Sequence, residues 1–209
     1  AVTGSGTISS ATQQITGVDV SGLNDGTLIL SVTLTDVAGN VGAAATDTVE
    51  KDIVAPTITS ISLSDYALKV GDTATVTFTF SEAPVSFTVD DITVENGTLS
   101  DFAVTGDTKI YTATFTPTDD LEDASNVISV GTGWTDAAGN APIAQTNSAN
   151  YTIDTKEPTI TSITSNATSP GWLKIGDTIT FTLTPGATEL GATAYGYYNG
   201  VQLTWSATD

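Results

Sequence analysis

Apolar residues fall on every second position along much of this chain. Leu28, Leu30, Val32 and Leu34 are separated by Ile29, Ser31 and Thr33, and Ala74, Val76, Phe78 and Phe80 alternate with Thr75, Thr77 and Thr79. Tyr111, Ala113 and Phe115 repeat the pattern, as do Ile179, Phe181 and Leu183 among Thr178, Thr180 and Thr182. A period of two puts one face of each segment in a core and the other in water, and β-branched threonine favours the extended backbone this requires. No helical stripe runs longer than about one turn. Asn199-Gly200, between Tyr195/Tyr197 and Val201/Leu203/Trp205, has the composition of a tight hairpin turn. Short strands at regular spacing, punctuated by Gly, Asp and Asn, predict antiparallel β-sandwiches.

Two phrases recur. Pro56-Thr57-Ile58-Thr59-Ser60-Ile61 returns 102 residues later as Pro158-Thr159-Ile160-Thr161-Ser162-Ile163. Asp36-Val37-Ala38-Gly39-Asn40 returns 100 residues later as Asp136-Ala137-Ala138-Gly139-Asn140. The chain therefore reads as modules of about 100 residues, a common domain size. A complete module is expected over residues 55–154. Its strands are A at 57–63, B at 73–80, C at 85–89, two more near 92–94 and 101–104, E at 110–116, F at 126–130 and G at 150–153. Seven or so strands in about 100 residues is the count of an Ig-like sandwich. Residues 1–51 read as the C-terminal half of such a module, with strands E–G at 7–16, 27–35 and 43–49. Residues 156–209 read as the N-terminal half, strands A–C plus a hairpin. The two halves are complementary, and a half module of about 50 residues buries its apolar stripe poorly by itself. A neighbouring module in the same array, or a second chain meeting this one head to tail, would complete each half. The linkers at 51–55 and 154–157 are short and each runs directly into a proline, Pro56 and Pro158, which favours stiffness.

Composition removes most chemistry from consideration. The 209 residues hold no His, Cys, Met or Arg, so thiolate, Ser-His-Asp and ordinary zinc chemistry are excluded. Five lysines stand against 24 carboxylates, for a formal charge of −19. Such a surface repels nucleic acid and anionic membrane. It attracts cations, and hard oxygen ligands suit Ca²⁺ or Mg²⁺. No apolar run is long enough to span a bilayer, and the first residues show no signal-peptide pattern. With no disulfide available, stability must come from core burial, to which a bound metal could add. A carboxylate pair is the only catalytic device left, and short-looped sandwiches seldom supply the cleft it needs, so the chain is read as a non-enzyme.

Several segments resemble bacterial Ig-like repeats. They are Thr77-Phe78-Thr79-Phe80-Ser81-Glu82-Ala83, Asp91-Ile92-Thr93-Val94-Glu95-Asn96-Gly97-Thr98-Leu99-Ser100, Tyr111-Thr112-Ala113-Thr114-Phe115-Thr116-Pro117 and Thr135-Asp136-Ala137-Ala138-Gly139-Asn140. Residues 24–36 are similar in the same way. Such repeats occur in large calcium-dependent surface adhesins of the RTX type, exported by type I secretion. The resemblance implies an extracellular, bacterial cell-surface location. It also implies an extender role, holding an adhesive tip away from the cell, with Ca²⁺ stiffening the joints between modules.

Ig-like topology places the BC and FG loops where the chain enters a module, and the AB and EF loops where it leaves. At the first junction, linker Asp52 should therefore meet Glu82, Asp136 and Asn140, with the preceding loop at 19–25 facing them. At the second, Asp154 should meet Glu189, with Asp36 and Asn40 supplied by the completing half and Asp119, Asp120, Glu122 and Asp123 from the EF loop. Asp72 and Asp177 occupy matching Gly-Asp-Thr turns and are weaker metal candidates. Any one of these residues is also an ordinary turn former. Two further readings are a carbohydrate- or ligand-binding module using Trp134, Trp172 or Trp205, and a fibre or surface-layer subunit. The tryptophans read more simply as core plugs. The triplets beginning at Asn96, Asn150 and Asn166 match the glycosylation pattern, which chance explains in so threonine-rich a chain.

Overall fold

The alternating segments fold as strands. The computed structural model describes residues 1, 3–14, 16–166, 173–186 and 192–202. In chain order the strands are β1 (Gly26–Val32), β2 (Ala45–Lys51), β3 (Ile58–Leu63), β4 (Ala67–Lys69), β5 (Ala74–Phe80), β6 (Ile92–Val94), β7 (Gly97–Val104) and β8 (Ile110–Pro117). They continue as β9 (Glu122–Asn126), β10 (Ile128–Val130), β11 (Thr146–Asn147), β12 (Tyr151–Asp154), β13 (Ile160–Ser165), β14 (Phe181–Pro185), β15 (Tyr197–Tyr198) and β16 (Val201–Gln202). A single 3₁₀ turn, Val89–Asp91, is the only helical piece among the described residues. None of these residues forms a helix long and apolar enough to cross a membrane.

Strands β3 to β12 form an Ig-like sandwich. One sheet has the order β3-β5-β8-β7, and the other layer consists of β4-β12-β9 and β11-β10-β6. All pairings are antiparallel except β4 with β12. The threonine alternation works as expected in β5, where Ala74, Val76, Phe78 and Phe80 are buried and the threonines between them are not. Both layers contribute to one core, which includes Phe78, Phe115, Ile128, Val130, Trp134, Tyr151 and Ile153. At one end Phe80 meets Phe87 and Trp134 edge to face, with centroids 4.8 and 4.9 Å apart. Edge-to-face contact aligns a positive ring edge with a negative ring face. Trp134 is thus a core plug, and its Nε1 donates to the Gly131 carbonyl at 3.2 Å. Trp172 and Trp205 lie outside the described residues.

Three expectations about strands change. The segment 85–89 is not strand C. Ser86 adopts φ 60°, Thr88 caps the 3₁₀ turn, and only Phe87 turns inward. The strand that pairs in this place is β6. The strand expected near 101–104 begins already at Gly97, because a bulge between Ser100 and Ala103 carries the pairing past Asp101 at φ 52°. The described residues of 7–16 form no strand. An isolated strand has no backbone partner, and its alternating pattern gains nothing from an extended shape alone.

A polar network ties the strand break between β9 and β10 to the β6–β7 turn. Asn126 is buried, and its Nδ2 donates to the carbonyls of Asp123 and Tyr151 at 3.1 and 3.3 Å. Its Oδ1 accepts from Asn96 Nδ2 at 2.8 Å, and Asn96 also donates to Asp123 at 2.9 Å. Asn150 Oδ1 accepts from the Asn126 N–H at 2.9 Å. The side-chain amide and backbone N–H of Asn126 are thereby satisfied, which a buried amide requires. Asn96 and Asn150 both spend their side-chain amides on the fold.

Gly97 sits where no side chain fits. A Cβ there would lie 2.4 Å from the Phe115 ring and 2.6 Å from the Thr116 carbonyl oxygen. Gly97→Ala is expected to lower the unfolding free energy by about 1–3 kcal/mol or more, measured by urea unfolding. Tyr151 offers a second test. Burial, followed by the charges of Glu95 and Asp123, pushes its phenol up to about 12. An unfolded tyrosine ionises near pH ~10, so the folded chain holds this proton more tightly. The resulting stability is complete below that pH and is lost as pH rises towards about 12, on the order of 2–3 kcal/mol in total. Denaturant unfolding of wild type should weaken across this alkaline window, whereas the Tyr151→Phe variant should lack that step.

Candidate metal centre

Three segments distant in sequence converge where the chain passes from β2 into β3. Asp52 is the first residue after β2, and its Oδ1 accepts from the Val54 N–H at 3.0 Å, shaping the linker. Glu82 lies in the loop after β5. Ser81 fixes the start of that loop: its N–H donates to the Thr57 carbonyl at 2.9 Å and its Oγ accepts from the Thr57 N–H at 3.0 Å. A lone bridge between Val85 and Thr135, with N···O distances of 2.7 and 3.1 Å, then clips the far side of the loop to the residue before Asp136. Asp136 opens a closed turn that ends at Asn140. The Asp136 N–H donates to the Asn140 carbonyl at 3.0 Å, and Asn140 returns its own N–H and Nδ2 to the two carboxylate oxygens, both at 2.8 Å. Gly139 supplies the left-handed φ of 94° that closes the turn.

Carboxylate oxygens of Asp52, Glu82 and Asp136 all lie within 4.8 Å of one another. Asp136 is buried and Glu82 half-buried. Burial raises the Glu82 carboxyl above its ordinary value; the charges of Asp136 and Asp52 raise it further, while Lys109 pulls it down. Burial also works on Asp136, yet its carboxyl ends below the usual range. Hydrogen bonds from the Asn140 side chain and backbone, with those of Gly139 and Ala138, together outweigh the burial. The turn thus favours the charged form of Asp136, while burial and the neighbouring carboxylates disfavour that of Glu82. Two like charges this far apart repel by ~1 kcal/mol in water and ~3.5 kcal/mol at the effective dielectric of a protein surface.

The first-junction residues Asp52, Glu82, Asp136 and Asn140 are thus brought together. Asn140 acts differently from a simple oxygen donor. Its Nδ2 faces Asp136 and also donates to the Asp52 carbonyl at 3.2 Å, so it orients the carboxylate and ties the linker to the turn. The loop at 19–25 is engaged nearby rather than in the cluster: Asp25 accepts from Lys51 Nζ at 3.0 Å and from the Ile53 N–H at 3.2 Å. Lys109 was not foreseen from sequence. It reaches the site because β8 pairs with β5, and its Nζ donates to the Ser81 carbonyl at 3.3 Å.

The second-junction residues are not gathered. Asp36 and Asn40 form a turn with the same bonds as Asp136 and Asn140, at 2.8 Å each, but it stands exposed. Asp154 ends β12 opposite Glu122, and Asp119 and Asp120 occupy an exposed turn with Asp120 at φ 54°. Glu189 lies outside the described residues. Asp72 and Asp177 each accept a backbone bond in their turns, from Lys69 at 3.1 Å and Lys174 at 2.9 Å. Among the described residues, Asp52, Glu82 and Asp136 are the one acidic group close enough to share an ion.

Residues 52–153 match the family model of the bacterial Ig-like domain. No match was found among curated proteins or solved structures. The matched span contains all three carboxylates of the cluster.

The electrostatics of the site separate its members in metal-free protein at neutral pH. Glu82→Gln removes two repulsions and should raise stability by about 1 kcal/mol or more. Asp136→Asn leaves one oxygen for the Asn140 N–H but sets an NH2 against Asn140 Nδ2, and should cost about 1–3 kcal/mol. Thermal unfolding in excess chelator measures both.

Proposed function

We propose, for a chain whose residues 52–153 carry a bacterial Ig-like domain, that it is an extender segment of a bacterial cell-surface adhesin. In this reading Ca²⁺ held by Asp52, Glu82 and Asp136 stiffens the joint ahead of that domain. The supporting observation is the convergence of three carboxylates, from the linker and two loops, within 4.8 Å. Ligand oxygens about 2.4 Å from one ion lie at most ~4.8 Å apart, so the spacing suits Ca²⁺. The donors are all hard oxygens, with no nitrogen or sulfur ligand to favour a transition metal. A backbone carbonyl and waters would fill the remaining positions of a six- to eight-oxygen shell. Lys109 and Asn140 lie beside the ligands, one moderating their charge and the other orienting Asp136.

The physical role follows from where Asp52 sits. It belongs to the linker, whereas Glu82 and Asp136 belong to the domain. An ion shared by all three turns mutual repulsion into attraction and fixes the linker against the domain. A second joint of the same kind would draw on Asp154, Glu189, Asp119 and Asp120, with Asp36 and Asn40 from a neighbouring module. The role is mechanical and needs no catalytic group. Export by type I secretion and extracellular display belong to this same reading.

A calcium titration tests the proposal. Saturating Ca²⁺ at about 100 times Kd should add about 2.7 kcal/mol to stability. It should also narrow the spread of conformations seen by small-angle scattering. Glu82→Gln should lose most of the calcium increment even though it stabilises the metal-free chain. Unchanged melting and scattering at millimolar Ca²⁺ would sink the reading.

A further inference from the structure

The dipeptide Asn-Gly occurs twice, at Asn96-Gly97 and at Asn199-Gly200. Asparagine before glycine is a chemical weak point. The backbone nitrogen of the second residue can attack the side-chain amide carbon of the first, and glycine has no side chain to block the approach. Both asparagines adopt left-handed backbone, with φ 56° and 50°. The two sites differ in what holds the reacting groups.

At Asn96 the fold holds both of them. Asn96 Nδ2 donates to Asp123 at 2.9 Å and to Asn126 Oδ1 at 2.8 Å. The Asn96 carbonyl, in the same peptide unit as the Gly97 nitrogen, accepts from the Thr118 N–H at 2.8 Å. Gly97 lies so close to the Phe115 ring that a Cβ there would come within 2.4 Å of it. Bringing the Gly97 nitrogen onto the Asn96 side chain would break both bonds of Nδ2 and turn a peptide unit pinned from two sides. Phe115 and Asn126 are fully buried, so this movement requires the sandwich itself to open.

At Asn199 nothing comparable exists. No hydrogen bond joins the Asn199 side chain to any described residue. Asn199 and Gly200 are exposed, as are Tyr197, Tyr198, Val201 and Gln202 around them. A Cβ at Gly200 would meet no atom within 4 Å. The turn is held by strands of two residues each, with Tyr197 opposite Gln202 and Tyr198 opposite Val201. So short a hairpin is marginal in water, and its local opening costs little.

We propose that Asn199 is a self-modification site of the folded chain, converting with water to aspartate and isoaspartate, while the sandwich keeps the identical dipeptide at Asn96 intact. The Gly200 nitrogen gives its proton to solvent hydroxide and bonds to Asn199 Cγ. The Cγ–Nδ2 bond breaks, and Nδ2 takes a proton from water and leaves as ammonia. The five-membered imide that remains takes up one water at either of its two carbonyls. One opening restores the ordinary main chain with an aspartate, and the other routes the main chain through the side-chain carbonyl. No oxidant, metal or enzyme takes part. Each event adds one negative charge to a chain already at −19. The isoaspartate product also lengthens the main chain of the turn by one CH2 group, which takes it out of the two-residue geometry that pairs Tyr198 with Val201. This goes beyond the extender reading and depends on neither calcium nor a partner.

Timed peptide mapping of the full chain tests the proposal. Folded protein and the same protein in urea are incubated side by side at mildly alkaline pH in heavy-oxygen water, which marks each hydrolysed imide for mass spectrometry. In urea the two sites should convert at similar rates, because the fold that separates them is gone. In the folded chain position 199 should convert on the order of tenfold or more faster than position 96. Asn199→Gln should lose the early product, because the longer side chain closes a six-membered ring far more slowly. Equal rates at the two sites of the folded chain, whether both fast or both slow, overturn the proposal. So does an early product that persists in Asn199→Gln.

Discussion

A sheet with one apolar face needs a second layer over that face, and nearly everything distinctive in this chain follows from whether the layer is present. Where both layers exist, between β3 and β12, the alternating threonines do what the pattern promises and Phe78, Phe115 and Tyr151 disappear from solvent. In the flanking strand pairs the same pattern pairs its strands correctly yet leaves Leu30 and Ile163 more than half exposed. Hydrogen bonding within a pair of strands is thus local and robust, while burial is a property of two sheets together. The bulge between Ile160 and Ser162 and the turn at Asp36 form at exposed residues, which shows how much of the backbone geometry is written into short phrases.

The acidic cluster rests on the same scaffold. Its carboxylates do not find each other by attraction. The Val85–Thr135 bridge, the Ser81–Thr57 bonds and the closed Asp136–Asn140 turn bring them together. Backbone geometry holds like charges at close range, and the conflict appears in opposite directions at two residues: Asp136 is depressed by its hydrogen bonds, Glu82 raised by burial and its neighbours. A chain with no His, Cys or Arg has few ways to relieve this, and Lys109 is the one cation that acts on Glu82.

Much of this was readable from sequence because it depends on period and on turn chemistry. The alternation in β5, the Asn199-Gly200 hairpin with φ 50° and 81°, and the meeting of Asp52, Glu82 and Asp136 all followed from local rules plus loop placement. What was not readable depends on unusual backbone or on absent partners. Val85, Phe87 and Val89 alternate like a strand, but Ser86 at φ 60° and the cap at Thr88 break it. The asparagine network around Asn126 joins residues from three separate elements and has no sequence signature. The stretch 7–16 looks like a strand in isolation and its described residues form none, because pairing, unlike pattern, needs a second strand.

One pairing gives the domain a direction. β4 runs parallel to β12, with Ala67, Leu68 and Lys69 opposite Thr152, Ile153 and Asp154. The chain enters the sandwich just before β3, which leads into β4, and leaves it directly after β12. Tension applied between the two linkers therefore slides β4 and β12 past each other along their length. Their hydrogen bonds are loaded side by side and must break together, whereas an antiparallel pair pulled from one end would open one bond at a time. The shortest of these strands, only three residues long, is thus the domain's mechanical latch.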